Sequence, residues 1–317
     1  MSEPDSDDAS VGSTTAEWST AESAAPPLET ATDSPVSTVD TGRGRVAYAE
    51  YGDDEDVPVL FFHGTPGSRL LGSVYAETAR AHGVRVLAVD RPGYGESDPW
   101  RARTLADTGE FAVPVLDDAG VDRAGVVGFS GGGPHALAMA ASHPGRVRRV
   151  DLVGGAVPPD CGPDGPRTQR LLGTLAARTP RLLGALLRFQ TWVARRNPSA
   201  VVDQYTTGDT GDVPAEVTAL VGRDFVEALD ASRNGVVTES RLLVREWDFS
   251  LTRIDTPVHL WHGDRDGNVP IEGARALQKR LPGADLTVFE TDHLRTLLAS
   301  RSAVLDGQAG SGTAGTE

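Results

Sequence analysis

Residues 126–135 read VVGFSGGGPH. A short apolar run ends in a glycine-flanked serine and passes at once into helix-forming residues, so the stretch reads as strand, tight turn, helix. A serine at such a turn sits in strained backbone geometry, and glycines are needed around it because larger side chains would collide with neighbouring backbone. Its hydroxyl is pushed out above the carboxyl edge of a sheet. The helix that follows adds positive dipole and free N–H groups beside any oxyanion forming there. By itself the pentapeptide Gly128–Gly132 also fits a glycine-rich connector with an incidental serine. Ser130 is therefore a candidate nucleophile that needs partners elsewhere in the chain.

On both sides of this turn, short β-rich apolar runs alternate with longer helical patterns, the signature of an α/β protein with a mostly parallel central sheet flanked by helices. Strands are expected at 45–51, 57–62, 85–90, 124–129, 147–153, 258–262 and 286–290. Helices are expected at 70–82, 104–119, 132–142, 272–281 and 293–305, with Pro114 kinking or breaking the second. The rhythm stops between about 157 and 255, which reads as mainly helical and offers no convincing strand pair. The expected organisation is a core domain of residues 42–156 and 256–306 with a helical cap or lid, 157–255, inserted in it. Residues 1–41 and 307–317 are small, polar and acidic or glycine-rich, so they bury too little surface to offset ordering entropy and are expected to be disordered tails.

A serine hydroxyl is a poor nucleophile at neutral pH; it needs a base, and the base needs an orienting acid. Residues 261–270 read WHGDRDGNVP after one expected strand, and 291–294 read TDHL after the next. Both lie at strand carboxyl ends, where catalytic groups gather in open α/β sheets. His293 is the candidate base, and Asp266 or Asp264 the acid.

Four stretches now stand out together: His63-Gly64-Thr65-Pro66-Gly67, the segment DRPGYGES at 90–97, the turn around Ser130, and Gly263-x-x-Asp266 with the later His293. Over about residues 44–305 the chain resembles the α/β-hydrolase superfamily, in particular its capped serine esterase and lipase-like branch. The resemblance implies a Ser130-His293-Asp266 triad, with Asp266 preferred to Asp264. It also implies an oxyanion hole made by the backbone N–H groups of Thr65 and Gly131, donors that are rigid and already aimed. His63, set at its strand turn, suits packing and orientation of that loop; with Phe129 it is expected beside the substrate. Epoxide hydrolases and haloalkane dehalogenases are similar around His63, but they place a carboxylate where this chain has Ser130. Prolyl aminopeptidases are similar too, yet there a tryptophan usually follows the serine; here Gly131 does, although Asp203, Glu216, Asp224 or Glu227 could hold a substrate amine. Hydrolysis of a carboxylic ester through an acyl-enzyme is the first expectation, with amide or C–C bond cleavage second. A non-catalytic ligand-binding member ranks last, because all three triad candidates are present.

Composition bounds the partners. The net charge is −15, and nine acids fall before the first base, Arg43, leaving only −6 on the remainder. This balance argues against nucleic acid, which needs clustered bases on the folded domain. Lys279 is the only lysine; an acid-rich, lysine-poor surface suits solvation at high salt, and a GC-rich genome would also favour arginine. With one cysteine, Cys161, no intramolecular disulfide can form. No histidine spacing suits zinc, and no G-x-G-x-x-G opens a βαβ unit, so neither metal nor cofactor is expected. A leader pattern and an 18-residue apolar run are both absent, and a cytoplasmic protein acting on a small molecule with an apolar acyl or alcohol part is expected. Residues 167–196 carry leucines near helical spacing with seven arginines and no acid. That basic amphipathic lid either packs its leucines on the sheet domain, or lines an acyl pocket or touches a membrane surface.

Overall fold

The computed structural model describes residues 14–16, 34–161, 167–207 and 213–313. Its strands are β1 Thr14–Ala16, β2 Val36–Asp40, β3 Arg45–Tyr51, β4 Val57–Phe62, β5 Val84–Val89, β6 Ala124–Phe129, β7 Val147–Val153, β8 Val258–Gly263 and β9 Asp285–Phe289. The helices are α1 Ala76–His82, α2 Thr108–Asp118, α3 Gly133–Ser142, α4 Arg167–Arg178, α5 Pro180–Ala194, α6 Ser199–Val202, α7 Ala215–Asp230, α8 Asn234–Leu242, α9 Ile271–Arg280 and α10 His293–Thr313. The strands form one sheet in the order β1-β9-β8-β7-β6-β4-β5-β3-β2. All neighbours are parallel except β3 with β5 and β2 with β3.

The central strands are apolar without alternation because both faces are covered, and every residue of β6 is buried. Side chains still divide by parity: Val59 and Phe61 join one apolar layer, Leu60 and Phe62 the other. The first layer is continuous with α10 through Leu297 and with the cap through Leu183, Leu220 and Phe225. The second is closed by α2, α3 and α9 through Phe111, Leu137 and Leu277. Helices α4 to α8 stand between β7 and β8. The carboxyl ends of β4, β6, β8 and β9 therefore open toward these cap helices.

Several expectations need correction. Within the expected tail 1–41, Val36–Asp40 is a strand, registered from Val36 on Ala49 to Asp40 on Arg45. The free edge of β3 offers backbone partners, which compensates for a segment poor in apolar side chains. Thr14–Ala16 pairs with β9; the rest of residues 1–33 lies outside the described residues. The expected tail from Gly307 is instead helix through Thr313, because Gln308 is fully buried and donates to Asp151 at 2.6 Å. Residues 314–317 lie outside the described residues. Helix α2 starts at Thr108 rather than 104, since the Thr104 amide and hydroxyl donate to Asp107 in a preceding turn. Pro114 does not break it. The helix expected over 70–82 divides into a 3-10 turn, Arg69–Tyr75, and α1. Among the described residues no helix is long and apolar enough to cross a membrane.

Candidate active site

Strand β6 ends at Phe129, and Ser130 follows with φ of 50°, the one non-glycine residue with positive φ among those described. Strain of this kind persists only where the surroundings impose it. They do so here: a Cβ on Gly132 would lie 2.1 Å from the Phe62 carbonyl oxygen, so β4 packs directly against the turn. A Cβ on Gly131 would lie 2.2 Å from Thr65 Oγ1 and 3.3 Å from Thr65 N. The loop after β4 and the start of α3 thus face each other at backbone distance beside Ser130.

His293 opens α10 and is fully buried. Its Nδ1 lies 2.6 Å from Asp266 Oδ2, and its ring stands between Phe129 and Tyr205, at centroid distances of 4.9 and 6.2 Å. The other Asp266 oxygen accepts the Asn268 and Val269 amides, each at 2.8 Å. Burial works to raise this carboxyl, but His293, His262 and the Val269 amide outweigh it and hold Asp266 below the usual carboxylate range. Asp264 is exposed and, among the described residues, its carboxyl reaches only Arg265. An ionised carboxylate bonded to Nδ1–H leaves the lone pair on Nε2. That atom is buried and has no hydrogen-bond partner among the described residues. Asp266 and His293 are therefore closed on each other, and Nε2 is not bonded to Ser130. Such bonds commonly tighten only when substrate is bound.

His63 is not where a substrate contact needs it. It is fully buried; Nδ1 lies 2.7 Å from the Gly64 carbonyl, Nε2 accepts the Arg91 amide at 3.3 Å, and Tyr94 meets the ring edge-on. Burial first, then the Arg91 charge, push its pKa well down, so it stays neutral and braces the loop. Phe129 does line the cavity beside Ser130, with Gly64, Pro66, Tyr205, Asp224 and Leu294. This cavity measures about 20 Å³, room for about one water.

Two cap acids matter at the site. Glu239 lies on α8 within no recognisable sequence motif. It is buried and accepts Arg91 Nε and Nη2 at 2.7 Å each, Arg103 at 2.7 Å, Tyr94 at 2.9 Å and Thr65 Oγ1 at 2.7 Å. His135 Nε2 lies 3.2 Å away. Arg91 in turn holds the carbonyls of His63 and Gly64. Burial alone would raise Glu239, but Arg91 and Arg103 hold it well below the carboxylate range. No local signal marks Glu239, because its partners are 104 to 174 positions away; Arg91 at least lies within the DRPGYGES stretch.

Asp224 on α7 is the opposite case. One oxygen accepts the Ser68 amide and hydroxyl at 2.8 and 2.7 Å and the Leu71 amide at 3.2 Å. No cation pairs with it in these contacts. Burial, with the Asp90 charge adding to it, raises the carboxyl to about 7. Glu227 instead pairs with Arg69 at 2.7 Å, while Asp203 and Glu216 are exposed. Among the described residues no cluster of His, Cys, Asp and Glu could hold a metal ion.

The α/β-hydrolase fold family model matches residues 57–200. A 2-hydroxymuconate semialdehyde hydrolase of Pseudomonas putida is 31% identical over 251 residues, 74% of this chain and 79% of that protein. A 2-hydroxy-6-oxononadienedioate/2-hydroxy-6-oxononatrienedioate hydrolase of Burkholderia vietnamiensis is 29% identical, covering 82% and 88%. The solved structure of an alpha/beta hydrolase fold protein from Nakamurella multipartita superposes with a TM-score of 0.63 at 28% identity, over 89% of this chain and all of that one. Parallel sheet, strained serine turn and a relative matched over most of its length agree, and the chain belongs to the α/β-hydrolase fold family.

Proposed function

We propose that the protein is a serine hydrolase that cleaves a small carbonyl compound, a carboxylic ester first of all, with Ser130 as nucleophile, His293 as base and Asp266 as its orienting acid. The observation that carries this reading is the Asp266–His293 contact at 2.6 Å, which leaves a buried, unoccupied Nε2 next to the strained serine turn. In the proposed cycle Ser130 Oγ turns onto Nε2, gives up its proton and attacks the carbonyl carbon. The Thr65 and Gly131 N–H groups hold the oxyanion. His293 then protonates the departing alkoxide, and a water deprotonated by the same nitrogen cleaves the acyl-enzyme. Asp266 remains ionised throughout, in keeping with its lowered pKa. A cavity of about 20 Å³ is smaller than any ester, so in this reading residues that line it shift to admit substrate.

A second reading, hydrolysis of a C–C bond next to a carbonyl, is favoured by the 31% identical hydrolase of 2-hydroxymuconate semialdehyde. The same serine attack would apply, with carbon in place of oxygen as the leaving atom. p-Nitrophenyl esters of increasing chain length, assayed beside 2-hydroxymuconate semialdehyde in high and low salt, separate the two. Ester turnover that Ser130→Ala abolishes supports the first reading, and turnover of the semialdehyde alone supports the second. Activity retained in Ser130→Ala removes both.

A further inference from the structure

Nearly all of the strongly exposed large apolar side chains among the described residues sit on two consecutive cap helices. Leu171 and Leu172 project from α4, and Leu182, Leu186, Phe189 and Trp192 from α5, with Phe189 and Trp192 each more than half exposed. Helix α5 is apolar on two sides. Leu183, Leu187, Thr191 and Ala194 recur at helical spacing and pack inward. Leu182, Leu186 and Phe189, spaced four and three apart, face outward. Phe189 and Trp192 stack at 5.8 Å, and Arg196 caps the Trp192 ring at 4.1 Å.

The charge beside this stripe has one sign. Arg181, Arg188 and Arg195 recur every seven residues along its edge, all exposed, and neither α4 nor α5 contains an acid. Arg195 pairs with Asp230 of α7. A protein of net charge −15 thus presents, along the outer side of α5, an apolar stripe edged by arginines. Such a patch marks an interaction surface. Nucleic acid needs no leucine stripe, and a two-fold contact with a second copy would bring two sets of arginines into one interface with no acid of α4 or α5 to pair them. An anionic lipid surface satisfies both halves: the apolar side chains enter the headgroup boundary while the guanidinium groups meet lipid phosphates.

We propose that the outer face of α4 and α5 docks the protein on anionic membranes, cap side down. The test is co-sedimentation of the full-length protein with phosphatidylglycerol vesicles against phosphatidylcholine vesicles, in low and high salt. Binding to phosphatidylglycerol is expected, weakened by salt and at least about tenfold tighter than to phosphatidylcholine. Phe189→Ser with Trp192→Ser should weaken it about tenfold or more. Arg181→Gln, Arg188→Gln and Arg195→Gln together should weaken it roughly a hundredfold, at about tenfold per 1.4 kcal/mol and about 1 kcal/mol per arginine. Circular dichroism confirms that the variants remain folded. Wild-type protein that leaves phosphatidylglycerol vesicles unbound overturns the proposal. So does a wild-type dimer, seen by light scattering, that the Phe189 and Trp192 substitutions dissociate, because the face then belongs to a second copy.

Discussion

The sheet side and the cap side of the candidate site are built on different terms. On the sheet side, Ser130, Asp266 and His293 stand at the ends of β6, β8 and β9, each held by local backbone: a left-handed turn, paired amides, a helix start. On the cap side two buried acids reach across from α7 and α8, and their surroundings set opposite states. Glu239 sits among arginines and stays charged; Asp224, bonded to amide and hydroxyl donors, rises to about 7. Position along a strand end thus defines chemistry on one side, and charge pairing through space defines it on the other.

The sharpest way to break this contrast is at the sheet side. Ser130→Ala or His293→Ala should each lower kcat by about four to six orders of magnitude, with the thermal transition unchanged within a few degrees. A comparable loss on substituting a cap acid would erase the distinction. Next, Glu239→Gln leaves Arg91 and Arg103 buried without their counter-charge, and should cost about 3–5 kcal/mol in urea unfolding. Because Arg91 also holds the His63 and Gly64 carbonyls, ester turnover should fall too.

Asp224 gives a smaller effect with a defined direction. Its folded pKa of about 7 lies above the ordinary 3.8, so in that window the folded state binds more protons than the unfolded one. Its contribution to stability is greatest below pH 3.8 and declines as pH rises toward 7, at up to about 1.4 kcal/mol per unit. Asp90, raised to about 6 by burial against the pull of Arg69, acts in the same sense. Asp224→Asn should flatten much of this decline when unfolding is measured from pH 4 to 8; an unchanged slope would place the proton elsewhere. Smallest of all, Asp230→Asn breaks an ion pair with Arg195 whose side chains are both more than half exposed, and should change stability by less than about 1 kcal/mol.

The same contrast explains what could be read from the chain. Strands β3, β4, β6 and β7 have the expected ends; β4 and β6, covered on both faces, write themselves as unbroken apolar runs. Of the two aspartates expected as the acid, Asp266 turns its carboxyl inward onto His293, and Asp264 is exposed. Glu239 stayed hidden: within α8 it is one polar residue of a short helix, and only tertiary packing brings it to Arg91, 148 positions away. His63 invited a contact role by its place after β4, yet both ring nitrogens are satisfied, one by the Gly64 carbonyl and the other by the Arg91 amide. The two tails misled through composition. A sheet edge recruits Val36–Asp40 by backbone bonds, and one buried glutamine, Gln308, anchors a glycine-rich helix end.

Covalent labelling tests the central assignment most directly. After reaction of the folded protein with a fluorophosphonate, intact mass and peptide mapping should show one adduct, on Ser130, formed far more slowly in His293→Ala. A folded protein that takes no label, or takes it at another residue, would contradict the role given to Ser130.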